Sequence, residues 1–275
     1  MTATLPRRIV SELIGTGFLV AAVIGSGIMG ERLAAGNVAI ALLANTIATG
    51  AALVALILTF GPISGAHFNP AVTLADAIEH GLTWGDAGWY VAAQCLGGIG
   101  GTGAAHLMFR LPLVSISRHV RSGPAQIFSE FVATFGLLAV IWGCSRRRSE
   151  MVPFAVGAYI TAAYWFTAST SFANPAVTIS RCLTDTFAGI RPGDVPGFIV
   201  AQVLGAIAAT TVFRWLVPNL NLQSENIVVP YGDMLDAEPQ SFRQHRIAEG
   251  RDATGAPAVT VPAPTDARNA KHGKT

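Results

Sequence analysis

Ser64-Gly-Ala-His-Phe-Asn-Pro-Ala-Val-Thr73 and Ser169-Thr-Ser-Phe-Ala-Asn-Pro-Ala-Val-Thr178 are two copies of one pattern. Both copies end in Asn-Pro-Ala-Val-Thr, and both lie in an apolar, Gly-rich setting. Asn is a good N-cap, and Pro is favoured at the first helical position because its missing N–H is one that a helix leaves unpaired anyway. Each copy therefore predicts a helix start, one at Asn69 and one at Asn174.

The composition is that of a membrane protein. The chain has 275 residues, of which 51% are hydrophobic and only 12% are charged, and its mean hydropathy is +0.49. Soluble domains carry about 25% charged residues. A helix needs about 20 apolar residues to cross a hydrocarbon core about 30 Å thick. Six stretches meet this length: 9–29, 38–60, 86–108, 125–144, 151–169 and 195–217.

Two further apolar runs, 69–78 and 174–184, follow the helix starts and are too short to cross. They are predicted to be re-entrant half-helices, because irregular backbone at membrane depth is tolerated only where it is buried in protein or lines a cavity.

An internal repeat relates the two halves of the chain. Ser11-Glu12 recurs as Ser129-Glu130, and Ala93-Gln94 recurs as Ala201-Gln202, in the same order as the Asn-Pro-Ala copies. The first apolar segment is therefore part of the repeat and not a cleaved signal peptide. Each half has an odd number of spans, so the halves must lie in opposite orientations. The predicted fold class is an all-α membrane protein with six transmembrane helices and two re-entrant half-helices in an inverted 3+3 repeat.

The repeat predicts the organisation of the chain. A short N-terminal tail precedes two repeats, each with one half-helix. The C-terminal tail is rich in Pro, Ala and charges with little periodicity, so we expect it to be disordered. The predicted segments are the tail 1–8, the first repeat 9–110 with half-helix 69–78, the second repeat 111–217 with half-helix 174–184, and the tail 218–275.

Opposite orientations bring the two half-helices tip to tip, with Asn69 beside Asn174. Each helix N-terminus carries about half a positive charge. A monovalent cation about 4 Å from both tips, at an effective dielectric constant near 20, is destabilised by about 4 kcal/mol. Uncharged molecules do not meet this barrier, so the pattern predicts a channel for neutral solutes.

With these motifs the chain resembles the aquaporin and aquaglyceroporin (major intrinsic protein) family over about residues 8–217. The resemblance implies the aquaporin fold, a homotetramer in membrane lipid with one pore per subunit, and passive passage of water and small neutral solutes. It also implies a pore constriction formed by Asn69, Pro70, Ala71, Asn174, Pro175 and Ala176.

The residue after the second Asn-Pro-Ala departs from the family, since most members have Arg there and this chain has Val177. The family's filter positions, carried over by their spacing to the motifs, are Thr49, Ala162, Ser171 and Val177. None is larger than Val, so we expect a wide, weakly polar filter without its fixed charge. Arg181 lies one turn further along. Two roles stay open for it: an anchor of the short helix or partner of a carboxylate, and a displaced filter arginine.

A wide filter would pass polyols of glycerol size or larger and the neutral acids of trivalent arsenic and antimony. It is similar to that of the bacterial aquaglyceroporin-like channels linked to arsenic resistance. Asn69 and Asn174 are 105 positions apart (174 minus 69), however, which is shorter than in glycerol facilitators. A plain water channel is therefore the alternative. A coupled secondary transporter is a third possibility, but it would need an ionisable group at the constriction, and none is predicted there.

Ionisable residues inside a span suggest a function. In this family Glu12 and Glu130 resemble supports that accept hydrogen bonds from the backbone of the pore loops, and a proton relay is the alternative. His67 is expected to brace its loop, and a pH-responsive gate is its alternative role.

Other classes of function are not indicated. Cys95, Cys144 and Cys182 have no metal-ligand spacing, and no nucleophile–base pair is visible, so we expect neither a metal nor another cofactor and no enzymatic activity. The net charge is only +2 and the basic residues are scattered, which argues against a nucleic-acid partner.

Arg7 and Arg8, together with the run 146–148, favour a cytoplasmic location of both termini, although Arg110, Arg118 and Arg121 would then lie outside. The resemblance implies the same orientation, in the inner (plasma) membrane.

Overall fold

The structure is a computed structural model that describes residues 3–145 and 149–216. Within these residues the chain is helical and has no β-strand. Single turns of 3-10 helix, at Ser149–Met151 and Pro192–Asp194, precede the sixth and eighth α-helices. The α-helices are α1 Leu5–Leu33, α2 Val38–Ser64, α3 Pro70–Ile78, α4 Trp84–Met108, α5 Pro124–Ser145, α6 Val152–Phe166, α7 Pro175–Arg181 and α8 Val195–Leu216.

The element order repeats, with α1 to α4 in the first half and α5 to α8 in the second. In each half two long helices precede a short one and a long one follows it, as the sequence predicts. Four helical segments of the described chain are long and apolar enough to cross a membrane by length and composition. They are Leu5–Leu33, Val38–Ser64, Pro124–Ser145 and Pro192–Leu216.

Contacts between helix ends fix the opposite orientation of the halves. Arg214, in the last turn of α8, bonds the carboxylate of Glu79 at the end of α3 at 2.6 Å. At the other side of the bundle, the backbone N–H of Arg121 donates to Asp194 at 2.9 Å, so the start of α5 lies beside the start of α8. The short helix α7 ends on that second side, because Ser115 N donates to the carbonyl of Leu183 at 2.9 Å. Thus α3 and α7 enter from opposite sides.

Glycines allow α4 to lie directly against α1. A Cβ added at Gly97 would lie 2.2 Å from the carbonyl oxygen of Leu13, and one at Gly101 would lie 2.2 Å from that of Gly17. In the second half, a Cβ at Gly205 on α8 would lie 2.6 Å from the Phe131 carbonyl oxygen of α5. Small residues at helix crossings let backbones approach closely in membranes.

Some helix limits differ from the predicted ones. Helix α1 begins at Leu5, within the predicted tail 1–8. Helix α7 ends at Arg181 and not at residue 184, because Cys182 N and Leu183 N turn back to carbonyls three residues earlier. The carbonyls of Cys182 and Leu183 then accept from Ser117 and Ser115 in the connection between the halves. The predicted tail 218–275 lies outside the described residues.

Candidate pore site

The tips of α3 and α7 meet through two reciprocal hydrogen bonds. Asn69 Nδ2 donates to the carbonyl oxygen of Ala173 at 2.8 Å, and Asn174 Nδ2 donates to that of Phe68 at 2.7 Å. Each bond joins a residue of one half to the residue before the Asn of the other half. The two helix starts that the sequence predicts are therefore held together by the same residues that define them.

N-capping fixes the orientation of both Asn side chains. Asn69 Oδ1 accepts from Ala71 N at 2.9 Å, and Asn174 Oδ1 accepts from Ala176 N at 3.0 Å and Val177 N at 3.2 Å. Each Nδ2 carries two hydrogens, of which the reciprocal bond uses one. Both Asn residues also line the internal cavity, so the second hydrogen is left for a molecule inside it.

The loops that lead to these tips have unusual backbone angles. Phe68 and Ala173 both have φ of 48°, and Ala66 and Ser171 both have φ of 51°. Left-handed conformations cost non-glycine residues about 1–2 kcal/mol each. In each half these residues lie one and three positions before the Asn. Such a loop persists only when its surroundings hold it in place.

A buried carboxylate from α1 holds the first loop. Glu12 is fully buried. It accepts from the backbone N–H groups of His67 at 3.0 Å and Phe68 at 2.7 Å, and from Ser64 Oγ at 2.6 Å and Gln94 Nε2 at 2.8 Å. Burial of a carboxylate is stabilised only when its oxygens are paired in this way. These hydrogen bonds place Glu12 where it can support the first loop.

Glu130 on α5 has the corresponding position in the second half. It accepts from Phe172 N at 2.9 Å and Ala173 N at 2.8 Å, and from Gln202 Nε2 at 2.6 Å. The same amide donates to Thr178 Oγ1 on α7 at 2.9 Å. The network therefore ties one long helix, one loop and one half-helix together, as its counterpart does in the first half.

His67 lies in the first loop and is 8% exposed. Its Nδ1 is 3.1 Å from Thr73 Oγ1, and its Nε2 is 3.7 Å from a carboxylate oxygen of Asp76, both on α3. Its ring also packs on that of Tyr90, with centroids 5.4 Å apart. These contacts are those of a loop brace, although the residue lines the cavity as well.

An internal cavity of about 60 Å³ runs past the two helix tips. This is more than the space that one water needs, so the cavity can hold water. Its walls are mostly apolar side chains of the long helices, among them Leu53, Ile57 and Ile141. Among the described residues, those that line the cavity include no Asp or Glu.

The filter positions carried over by spacing are only partly in the cavity wall. Thr49, Ser171 and Val177 line the cavity, but Ala162 does not and is exposed. On α6 the cavity is lined instead by Ile160 and Tyr164. Residues two positions apart on a helix point about 200° apart, so Ala162 faces away from both.

The assignment of Ala162 is therefore corrected to Tyr164. The Tyr164 hydroxyl lies 3.3 Å from Thr49 Oγ1, and both side chains are buried. Ser171 Oγ, by contrast, is buried and has no hydrogen-bond partner among the described residues. A phenol ring therefore lies in the cavity wall where a methyl group was expected.

Arg181 lines the same cavity. Its Nε donates to the carbonyl oxygen of Ala188, and its guanidinium carbon lies 3.4 Å from the centroid of the Phe172 ring. Arg121 lies against the same ring, 5.1 Å from the centroid. Its guanidinium donates to the carbonyls of Gly189 at 2.8 Å and Ser169 at 3.2 Å, which fixes the loop before α7.

Sequence reasoning missed Tyr164, Phe172 and Arg121. A usable signal existed for Tyr164, because Val156, Ile160 and Tyr164 recur every four residues and form one face of α6. Nothing local marks Arg121, whose acceptors are far from it in sequence. His119 lies near this cluster, and its pKa is lowered by partial burial and by the neighbouring charges of Arg121 and Arg181.

Comparisons with known proteins agree with this geometry. The family model described as major intrinsic protein matches residues 1–173 and 148–238. Aquaglyceroporin AqpS of Rhizobium meliloti (strain 1021) is 60% identical over 212 residues, which is 77% of this chain and 91% of that protein. Nodulin-26 of Glycine max is 32% identical over 216 residues, which is 76% of this chain and 77% of that protein.

A solved structure shows the same fold. The X-ray structure of the aquaglyceroporin from Plasmodium falciparum superposes with a TM-score of 0.63, covering 80% of this chain and 100% of that chain at 18% identity. The predicted aquaporin fold is thereby confirmed.

Proposed function

Because the chain belongs to the major intrinsic protein family, whose aquaglyceroporins are channels and not enzymes, we propose that it passes uncharged solutes of glycerol size, neutral metalloid acids such as arsenite and antimonite, and water. The observation that carries the proposal is the paired donors of Asn69 and Asn174 in a cavity without carboxylates among its described lining residues. Transport of small solutes through a membrane channel follows from the family itself.

The proposed filter consists of Thr49, Tyr164, Ser171 and Val177. Thr49, Tyr164 and Ser171 bring three hydroxyl groups to the cavity wall, whereas Val177 brings only methyl groups. The residue directly after the second Asn-Pro-Ala carries no charge. A solute with several hydroxyls can exchange part of its water shell for these groups and for the Asn amides. Metalloid acids carry the same kind of O–H groups as glycerol.

The 60% identical relative is named an aquaglyceroporin, which supports this choice. The second candidate is a plain water channel. Tyr164 favours it, because an aromatic wall narrows the filter that the sequence predicted to be wide. The solute channel and the plain water channel differ in the largest solute that can pass between Tyr164 and Val177.

A coupled secondary transporter is less well supported. Such a protein needs an ionisable group beside its substrate to bind the driving ion. Glu12 and Glu130 are buried, but their oxygens are occupied by loop N–H groups and by Gln94 and Gln202, so a support is favoured over a proton relay.

The proposed setting is a homotetramer in the inner (plasma) membrane, with both termini in the cytoplasm. Large apolar side chains on the outside of the bundle support contact with lipid or with other subunits; Phe18 is 62%, Phe128 65% and Trp89 61% exposed. Arg7 and Arg8 at the start of α1 support the cytoplasmic location of that end.

Stopped-flow light scattering on proteoliposomes tests the proposal. Osmotic water flow is compared with entry of glycerol, and arsenite uptake is measured on the same vesicles. Fast entry of glycerol and arsenite that follows only the solute gradient supports the proposal. Fast water flow with negligible solute entry shows a plain water channel, and uptake against a gradient shows a transporter.

A further inference from the structure

We propose that Arg181 supplies the fixed positive charge of the filter, displaced by one helical turn from the position that Val177 occupies, and that it excludes cations. The inference rests on the proposed function, since only a channel has ions to exclude. It goes beyond that function by assigning ion exclusion to one residue outside the usual filter position.

Arg181 lies at the end of α7, one helical turn after Val177. Residues four apart on a helix lie on the same face, and Val177 and Arg181 both line the cavity. Arg181 is only 2% exposed. Its guanidinium is therefore part of the inner wall and not of the protein surface.

The direct side-chain contacts of Arg181 are with uncharged groups. One guanidinium nitrogen donates to the Ala188 carbonyl, and the planar group lies on the ring of Phe172. Among the described residues no carboxylate lies within ion-pair distance of Arg181, and its two terminal nitrogens have no hydrogen-bond partner. A carbonyl and an aromatic face hold a guanidinium in place without neutralising it.

The other open role for Arg181 is an anchor of the short helix or a partner of a carboxylate. Among the described residues it has no carboxylate partner, and as an anchor it makes a single side-chain hydrogen bond. Arg121 gives the comparison, since its guanidinium donates to several loop carbonyls and acts as an anchor. Arg181 makes one such bond and keeps two nitrogens for the cavity.

A second group at the same wall points to a ligand. Ser171 Oγ is buried, lines the cavity and has no partner among the described residues. An oxygen atom of a neutral hydroxylated solute would accept from the Arg181 nitrogens, while a hydroxyl of the same solute would bond Ser171. A metal cation or hydronium ion would meet the guanidinium charge and could not accept from it.

Sodium flux into proteoliposomes, measured together with water and glycerol flux, tests the proposed exclusion of cations by Arg181. The main variant is Arg181→Gln, which keeps a polar, hydrogen-bonding side chain, shorter than that of Arg, and removes the charge. We expect the ratio of its sodium flux to its water flow to rise about tenfold. Arg181→Lys keeps the charge and should exclude sodium as the unmodified protein does. The matched control is Arg118→Gln, because the Arg118 side chain is 92% exposed on the same side of the bundle.

A double variant separates charge from structure. Val177→Arg combined with Arg181→Gln places a guanidinium at the adjacent turn and should restore sodium exclusion. A helix anchor would not be replaced in this way. Sodium leak in Arg181→Gln that persists in the double variant overturns the inference.

The failures of the two proposals are distinguishable. Absence of both water and solute flux in the unmodified protein rejects the channel itself. Normal neutral flux in Arg181→Gln with sodium flux equal to that of the unmodified protein rejects the role of Arg181 alone. Should the Gln variant fail to assemble, Arg181→Met is the second neutral variant, since a thioether chain packs well on the Phe172 ring. A Met variant that still excludes sodium also rejects the proposed role of Arg181.

Discussion

The hydroxyl groups of Thr49 and Tyr164, 115 positions apart in sequence, lie 3.3 Å from each other in the cavity wall. This pair joins α2 of the first half to α6 of the second. It places a phenol ring where the spacing of the motifs suggested a methyl group. The width of the cavity at this point therefore depends on a contact between the two halves.

Replacing Tyr164 by Ala should increase the entry of solutes larger than glycerol several-fold, because the ring that closes one side of the filter is removed. Stopped-flow measurements with a four-carbon polyol give the readout. Ala162→Val is the matched control, since Ala162 is exposed on the other face of the same helix and should leave all fluxes unchanged. An effect of Ala162→Val with none of Tyr164→Ala would restore the original assignment.

Val177→Arg should lower glycerol and arsenite entry about tenfold, because it adds both bulk and charge to the cavity wall. Water flow should change much less, since water is smaller than either solute. The measurement is solute uptake into proteoliposomes. Val177→Met adds length without charge and separates the two causes. Uptake that does not change in Val177→Arg would contradict the filter assigned here.

Glu130→Gln should destabilise the second pore loop. A carboxamide presents an N–H group to Phe172 N or Ala173 N, so at least one buried donor loses its acceptor, at a cost of about 1–3 kcal/mol. We expect a lower melting temperature of the purified protein and lower water flow. Glu150→Gln is the control, because Glu150 is exposed. Equal melting of both variants would argue against the support role.

Gly101→Ala and Gly100→Ala are adjacent and should act in opposite directions. A Cβ at Gly101 lies 2.2 Å from the Gly17 carbonyl oxygen, whereas nothing lies within 4 Å of one at Gly100. The first change should separate α1 from α4 and destabilise the protein by about 1–3 kcal/mol. The second should stabilise α4 by about 0.5–1 kcal/mol, since Ala has the higher helix propensity. Thermal unfolding in detergent measures both, and a Gly101→Ala protein as stable as the unmodified one would refute the close crossing.

Local chemistry made much of this protein predictable from sequence. Asn69 and Asn174 start helices because an Asn side chain caps the N–H groups that follow it, whatever the rest of the fold does. The apolar stretches and the repeated Ser-Glu and Asn-Pro-Ala patterns gave the number of helices and the inverted arrangement. Helix α7 was predicted three residues too long, because its end is set by hydrogen bonds to residues 115 and 117.

Only the tertiary structure decided which side chains line the cavity. The spacing of Val156, Ile160 and Tyr164 groups them on one face of α6, but most of the helix is apolar, so this spacing alone does not fix which face lines the cavity. Packing against α2 turns Tyr164 inward and Ala162 outward. The same holds for Arg181, whose guanidinium is placed by the Phe172 ring and the Ala188 carbonyl. The sequence thus determined where helices begin and that two of them meet, since these depend on neighbouring residues. The lining of the pore depends on helix rotation and loop contacts, which form only when distant segments pack together.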